Sequence, residues 1–254
     1  MIIDTHCHLY VDAFKADISE VMNRAAAAGV QKFYLPAIDS GEIDNMLLLE
    51  NKFPGKCIPM MGLHPCSVKE NYREELAIVE GWLSKRKFAA VGETGLDFYW
   101  DRTFETQQYE AFRLQIAWAL QYDLPVVIHT RDAMQECIDV VKEFVPRGVK
   151  GIFHCFGGTV DNAREIIEAG FYLGIGGVLT YKKSGLAEVL QQIDLQHIVL
   201  ETDAPYLTPV PFRGKRNESS YLKYIVENIA LIKNISTEEV AAITTANAEK
   251  IFGL

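Results

Sequence analysis

Short apolar runs alternate along the chain with longer segments in which apolar residues recur at helical spacing. The first helical segment ends at Gly29, in the way that helices close on a C′ glycine. Strands are predicted over residues 2–6, 32–37, 57–63, 88–92, 125–129, 150–154, 171–175 and 198–202. Helices are predicted over residues 17–28, 41–52, 73–86, 104–122, 133–144, 159–169, 186–192, 220–233 and 237–252.

Eight strands that alternate with helices predict an α/β fold with a parallel sheet, and units of this number and total length favour a single closed (β/α)8 TIM-type barrel. An open doubly wound sheet is the alternative, although no G-x-G-x-x-G follows the first strand. Low-complexity segments and Ser/Pro-rich linkers do not interrupt the sequence, so residues 1–254 are expected to form one domain. The one long irregular stretch, 204–219, follows the eighth strand, where barrels carry substrate loops.

Composition narrows the class of protein. Hydrophobic residues make up 49% and charged residues 23% of the chain, which is typical of a soluble globular protein. An apolar run of about 18 residues and a basic leader are both absent, so we expect a cytoplasmic protein without membrane contact. The five scattered cysteines are expected to be reduced thiols. A net charge of −9 disfavours a protein that coats nucleic acid but permits a pocket for one strand end.

The first candidate metal-ligating residues lie where the first predicted strand ends. His6 and His8 stand two residues apart, and side chains at i and i+2 of an extended chain point to the same face. They can therefore hold one metal ion, while hydrogen-bonded structural histidines are the alternative. Metal-capable side chains recur at other strand ends, which favours the metal site; these are Glu93, His129, His154 and Asp203.

Four histidines and two carboxylates exceed the ligands that one catalytic ion uses, because such a site keeps a position open. Two divalent ions, Zn²⁺, Mg²⁺ or Mn²⁺, are therefore predicted, with a carboxylate bridging them. Glu93 is the expected bridge. Strands one and eight are neighbours in a closed barrel, so His6, His8 and Asp203 are assigned to one ion, and His129 and His154 to the other.

The chain resembles the TatD family of metal-dependent deoxyribonucleases, within the amidohydrolase-like hydrolases. Six segments carry the resemblance, namely residues 4–8 (DTHCH), 62–65 (GLHP), 92–97 (GETGLD), 129–131 (HTR), 154–156 (HCF) and 201–206 (ETDAPY). The resemblance implies a (β/α)8 barrel, a divalent-metal site built from the six residues above, and hydrolysis of DNA, as a 3′–5′ exonuclease on single strands. Family members often continue the last loop with Arg-Gly-x-x-Asn-Glu-Pro, whereas this chain has Ser219 in place of the proline.

Asp203 and Glu93 are the predicted catalytic residues. In this hypothesis, metal ions activate a water molecule, Glu93 bridges them, and Asp203 accepts the proton and passes it to the leaving oxygen. Other relatives of the wider superfamily bridge their metals with a carbamylated lysine, and no lysine stands at this strand end.

Four residues are predicted to bind substrate: His64, Arg131, Glu201 and Arg213. Each of three has an alternative role. His64 could instead hold the turn before Pro65, Arg131 could form a structural salt bridge, and Glu201 could orient a metal ligand or fill the barrel interior. Arg213 belongs to a basic run with Lys215 and Arg216, which is expected to contact substrate or to be a solvated loop.

The aromatic run at residues 98–100 offers a stacking surface for a base, or else packs under its loop.

DNA 3′ ends are the expected partner, without an obligate protein partner, and a monomer is expected. The alternatives are a two-metal hydrolase of a small ester, amide or lactone, and a non-catalytic module that binds nucleic acid.

Overall fold

The computed structural model describes residues 1–253. Its eight strands are β1 Ile2–Asp4, β2 Val30–Pro36, β3 Cys57–Met60, β4 Val91–Asp97, β5 Val126–Arg131, β6 Gly151–Phe153, β7 Tyr172–Ile175 and β8 Ile198–Leu200. Its nine α-helices are α1 Ile18–Ala27, α2 Ile43–Lys52, α3 Tyr72–Lys85, α4 Glu105–Gln121, α5 Met134–Lys142, α6 Val160–Glu168, α7 Leu186–Gln192, α8 Leu222–Lys233 and α9 Thr237–Phe252. The predicted order of strands and helices is confirmed. Within residues 1–253, none of the helices is both long and apolar enough to cross a membrane.

The strands form two parallel sheets in chain order, one from β1 to β3 and one from β4 to β8. Hydrogen bonds join the sheets at both edges. Met61, just past β3, pairs in parallel with Val91 at the start of β4. At the other edge, the backbone N–H of Thr5 donates to the carbonyl of Leu200 over 2.9 Å. The eight strands therefore follow one another around a ring, which confirms the α/β barrel expected from the sequence.

The interior of the ring is filled at its amino-terminal end. Six strand residues share one apolar cluster: Ile3, Tyr34, Met60, Val127, Ile152 and Val199. Helix α9 adds Ala248 and Ile251 to this cluster, and Phe252 stacks on Tyr34 with ring centroids 3.7 Å apart. Because side chains fill this end of the barrel, its open face is at the carboxyl ends of the strands, where loops converge.

Strand β4 differs from the prediction. It was expected to end at residue 92, but it continues to Asp97 and all of its residues are buried. The extension depends on glycine, because a Cβ atom on Gly95 would lie 2.0 Å from the carbonyl oxygen of His129. Strand β4 therefore approaches β5 at a distance that only glycine permits, and Glu93 lies inside the strand rather than after it.

The loop that follows β8 is irregular, as predicted, until a short 3₁₀ helix at Ser219–Tyr221. Two ion pairs anchor it to α1. Arg216 donates to both carboxylate oxygens of Asp17 over 2.8 and 2.6 Å. Arg24 contacts Glu218 in the same forked way, at 2.6 to 3.1 Å. The substrate contact predicted for Arg216 is thus replaced by an anchoring contact, because its donors face Asp17.

The residue before Ser219, which stands where the family pattern has proline, is held in one conformation. Glu218 keeps an extended backbone, with φ −154° and ψ 156°, which is the region that a following proline would impose. Its carboxylate is held by Arg24 and by the hydroxyl of Ser220. The ion pair and this hydrogen bond therefore hold Glu218 in its extended conformation.

Replacing Glu218 with glutamine is expected to lower the free energy of unfolding at pH 7 by about 1–3 kcal/mol, since charge-assisted hydrogen bonds are lost. Burial would raise the pKa of Glu218, but hydrogen bonds from Arg24 and Ser220 outweigh it and lower this pKa. A lowered native pKa adds stability above the unfolded value of about 4.3, and that stability disappears as pH falls through the native value.

Urea unfolding at pH 7 and at successively lower pH values checks this expectation. The difference between wild type and Glu218→Gln should shrink as pH falls through the lowered pKa of Glu218, because its carboxyl group then becomes protonated in the folded protein. Glu80→Gln is a matched control, since Glu80 is exposed on α3. An equal difference at every pH value would contradict the assigned role of the ion pair.

Candidate metal centre

All six residues predicted as metal ligands meet at the open face of the barrel; they are His6, His8, Glu93, His129, His154 and Asp203. Strand β1 ends before the histidine pair, which stands just past it. Asp4 fixes this segment, because its carboxylate accepts from the backbone N–H of Thr202 over 3.0 Å and from the Thr202 hydroxyl over 2.7 Å. The N–H of Asp203 then donates to the carbonyl of His6 over 2.9 Å. The segments that follow β1 and β8 are thereby held side by side.

One group consists of His6, His8 and Asp203, as assigned from the sequence. The Oδ1 atom of Asp203 lies 3.7 Å from Nε2 of His6 and 3.6 Å from Nε2 of His8. The Oε2 atom of Glu93 lies 3.0 Å and 3.5 Å from the same two nitrogens. Four potential ligand atoms therefore surround one point.

The second oxygen of Glu93 faces another set of rings. Oε1 lies 2.7 Å from Nε2 of His154, 2.9 Å from Nδ1 of His129 and 3.3 Å from Nε2 of His64. Glu93 is thus placed between two groups of histidines, as a bridging carboxylate requires. His64, which the sequence assigned to substrate, joins Glu93 and His129 in a group that could hold an ion.

The donor set fits divalent ions. Bonds of about 2.0–2.2 Å to a tetrahedral ion place neighbouring ligand atoms about 3.4 Å apart. The nitrogen-to-oxygen separations in the group of His6, His8, Glu93 and Asp203 range from 3.0 to 3.7 Å. The residues therefore need little movement to coordinate an ion, and imidazole with carboxylate suits Zn²⁺ and Mn²⁺.

The carboxylates of this site are held ionised. Burial would raise the pKa of Glu93, but the charges of His154 and His6 hold that pKa well below its usual range. Burial also opposes ionisation of Asp203, and its pKa is nonetheless lowered by a hydrogen bond with His8 and by the charge of His6. Two buried anions require a cationic partner, because an uncompensated buried charge is costly.

The pKa values of His6 and His8 are shifted in opposite directions. Burial lowers the pKa of His6, and repulsion from His154 adds to this effect. Burial would lower the pKa of His8 too, but hydrogen bonds with Asp203 and Glu93 raise it to about 9. Burial therefore opposes protonation of His6, whereas the two carboxylates favour protonation of His8 and draw positive charge into the centre.

Asp97 is a candidate functional residue that the sequence analysis did not single out. One carboxylate oxygen lies 2.9 Å from Nε2 of His129, on the side of the ring opposite Glu93. The other accepts from the backbone N–H groups of Tyr99 and Trp100 over 3.0 and 3.1 Å. Such a carboxylate orients a ligating histidine. The only sequence signal was its place in the segment at residues 92–97.

Glu201 lies beneath the centre and is fully buried. Its Oε1 atom accepts from the backbone N–H of Cys155 and lies 3.6 Å from Nδ1 of His154. This position favours the orienting role left open by the sequence over direct contact with substrate. Gly174 makes room for it, because a Cβ atom there would lie 2.2 Å from Oε2 of Glu201.

Gly174→Ala is therefore expected to push Glu201 away from His154 and to lower metal affinity about 10–100-fold, as loss of an outer-shell partner does. Metal content after equilibrium dialysis checks this. Gly81→Ala is the matched control, because Gly81 lies inside α3 with open space around it. That variant should gain about 0.5–1 kcal/mol of stability. Unchanged metal affinity in Gly174→Ala would contradict the role of Glu201.

Two arginine side chains predicted to bind substrate, Arg131 and Arg213, lie at the rim of the metal centre. Arg131 is exposed at the end of β5, and its guanidinium lies 4.1 Å from the ring centre of Tyr99. Arg213 is exposed in the loop after β8 and lies 3.9 Å from the ring centre of Tyr181. The structural salt bridge considered for Arg131 is not present within residues 1–253, since this side chain contacts aromatic rings.

A parallel eight-stranded barrel with histidines and carboxylates gathered at the carboxyl ends of its strands fits the class of metal-dependent hydrolases. The model of the family described as "TatD related DNase" matches residues 3–253. The chain belongs to this family.

Individual relatives match over nearly the whole chain. The sequence is 39% identical over 253 residues to the uncharacterized metal-dependent hydrolase YabD of Bacillus subtilis, covering 99% of each protein. It is 32% identical over 257 residues to a protein of Erwinia tasmaniensis named 3′–5′ ssDNA/RNA exonuclease TatD, again covering 99% of each. The crystal structure of YJJV, a TatD homolog from Escherichia coli, superposes with a TM-score of 0.94 at 28% identity, covering 100% of this chain and 98% of that one.

Proposed function

We propose that this hydrolase cleaves phosphodiester bonds of single-stranded DNA from the 3′ end, using two divalent metal ions. The observation that carries the proposal is the position of Glu93, whose two oxygens face two separate sets of histidine nitrogens. The name of the relative in Erwinia tasmaniensis supports the substrate.

In this proposal, His6, His8 and Asp203 would hold one ion, and His129 and His154 would hold the other. Glu93 would be a ligand shared by the two sites, and His64 lies in a group with Glu93 and His129 that could also hold an ion. When bound, such ions polarise a phosphate oxygen and lower the pKa of water.

Asp203 is the proposed proton acceptor. Its side chain is 16% exposed, whereas that of Glu93 is 2% exposed, so Asp203 is the carboxylate of the centre that is open to the barrel mouth. It is ionised before reaction and can take the proton of the attacking water. The same carboxyl group then passes that proton to the leaving oxygen.

Arg131 and Arg213 are proposed to hold the phosphates of the strand. Both are exposed at the rim, and each rests its flat face on an aromatic ring, which leaves the N–H edge free for bidentate contact with phosphate. In a chain of net charge −9, such local positive charge draws an anionic strand end toward the centre.

The test compares purified protein on three kinds of substrate: single-stranded DNA with a free 3′ end, the same strand with a blocked 3′ end, and a panel of small esters, amides and lactones. Mg²⁺, Mn²⁺ and Zn²⁺ are supplied separately. We expect stepwise shortening of the free strand, loss of activity in chelator and recovery on adding the ion. Turnover of a small ester or lactone without any shortening of DNA would overturn the proposed substrate. Activity that survives chelation would overturn the metal mechanism.

A further inference from the structure

The loop after β4 presents two neighbouring aromatic side chains to solvent beside the metal centre. Trp100 is 68% exposed and Tyr99 is 54% exposed, whereas the preceding Phe98 is 9% exposed and packs inward. The rings of Tyr99 and Trp100 meet edge to face, with centroids 4.9 Å apart. We call this pair the aromatic ledge. Burying so much exposed aromatic surface would be favourable, and exposed aromatic surface of this kind commonly marks a binding site.

The ledge is tied to the metal centre. Asp97 accepts hydrogen bonds from the backbone N–H groups of both ledge residues, and its other oxygen contacts His129. The same carboxylate thus fixes the loop and a predicted metal ligand. Gln108 of α4 reinforces this connection, since its side-chain oxygen accepts from the N–H of Asp97 over 2.9 Å. A group that rests on the ledge is therefore held at a set place relative to the reacting bond.

The side chain of Arg131 lies next to the aromatic ledge. The guanidinium of Arg131 lies 4.1 Å from the ring centre of Tyr99 and 5.2 Å from that of Trp100. Its side chain makes these contacts rather than an ion pair with a carboxylate among residues 1–253. Aromatic faces next to an unpaired arginine are the two parts that bind single-stranded nucleic acid, one for the base and one for the backbone.

We propose that the aromatic ledge stacks one nucleobase of a single-stranded substrate while Arg131 contacts the adjoining phosphate. This inference rests on the proposed function and specifies how that substrate is gripped. Trp100 also lines a cleft of about 280 Å³ together with Cys66, Lys69 and Asp101, which leaves room beside its ring. Stacking depends on the π-face that every base has, so the ledge holds a base without selecting its identity.

The experiment measures binding rather than cleavage, with chelator present so that the strand is not consumed. A short 5′-labelled deoxyadenosine oligonucleotide is titrated with wild type, Trp100→Ala and Trp100→Phe, and fluorescence anisotropy gives the affinities. A second series uses oligonucleotides in which a single abasic residue replaces each nucleotide in turn. The four combinations of side chain and base form a double-mutant cycle, which isolates the contact between them.

We expect Trp100→Ala to weaken binding of the intact strand about tenfold, and Trp100→Phe to restore most of that affinity, as stacking of one base predicts. One abasic position should weaken binding of wild type by a similar factor and should have no further effect in Trp100→Ala. Additive losses, or equal affinity of wild type and Trp100→Ala for the intact strand, would overturn the ledge as a stacking site.

The binding and cleavage results together distinguish failure of the stacking site from failure of the proposed nuclease function. If the cycle shows coupling and no divalent ion supports cleavage, the stacking site stands and the nuclease function fails. If DNA is cleaved but the cycle shows no coupling, the nuclease function stands and the ledge fails. Circular dichroism of each variant checks that the fold is retained.

Discussion

Glu93→Gln is expected to lower hydrolysis by about a thousandfold or more and to reduce the bound metal. The carboxylate contacts His6, His129 and His154 within 3.0 Å, and an amide can supply neither the negative charge nor two equivalent oxygens. Losing several kcal/mol of charge stabilisation corresponds to a rate loss of this size. Elemental analysis of dialysed protein and initial rates on oligonucleotide check both parts.

Glu218→Gln serves as the control for this measurement, because it also neutralises a buried carboxylate but lies in the anchored loop outside the metal centre. Its metal content should match that of wild type even though its stability is lower. Full metal content in Glu93→Gln, with activity near that of wild type, would show that Glu93 does not bridge two ions.

The second large effect is expected for Asp203→Asn, with a fall in kcat of about 10²–10⁴-fold. That is the range supplied by a positioned proton acceptor. The variant keeps an oxygen that can face His6 and His8, so metal content should fall less than in Glu93→Gln. A loss in kcat with little change in KM is the expected signature, because the proton moves only as the bond breaks.

Asp203→Ala completes this series by removing the oxygen as well, and it should lose both metal and turnover. If Asp203→Ala retained turnover within a few-fold of wild type, the assignment of Asp203 as proton acceptor would be wrong. If Asp203→Asn and Asp203→Ala lost metal equally and kcat followed metal content, Asp203 would act as a ligand alone.

Sequence patterning predicted the barrel because each βα unit repeats the same alternation of an apolar run and an amphipathic helix. It also placed His6 and Asp203 together, since the first and last strands of a closed barrel are neighbours. The hydrogen bond from Asp203 to the carbonyl of His6 confirms that adjacency. Strand order alone was therefore enough to bring distant ligands to one site.

Strand β4 was harder to predict because its segment Gly-Glu-Thr-Gly-Leu-Asp lacks the apolar pattern of a strand. Its side chains are satisfied by groups that lie far away in sequence, as in the contact of Asp97 with His129. Tertiary contacts of this kind decide strand length, and a local pattern does not contain them.

Charge patterning misled at Arg216, which belongs to a basic run but pairs with Asp17 near the other end of the chain. Arg213, three residues earlier, lacks such a partner within residues 1–253 and lies on Tyr181. The aromatic run at 98–100 divides in a similar way, with Phe98 packed and Trp100 exposed. Exposure and pairing depend on the fold, so composition could not distinguish these neighbours.

The hydrogen bond between Thr5 and Leu200 that joins β1 to β8 also bears on how the molecule is made. A ribosome releases β1 long before β8, so one edge of β1 stays unpaired until almost the whole barrel has been synthesised. His6 and His8 leave the ribosome at the start, and Asp203 arrives close to the end. If these three residues hold an ion as proposed, metal retention by a nascent chain will report closure of the ring, and chains stalled before β8 will carry an open strand edge prone to aggregation.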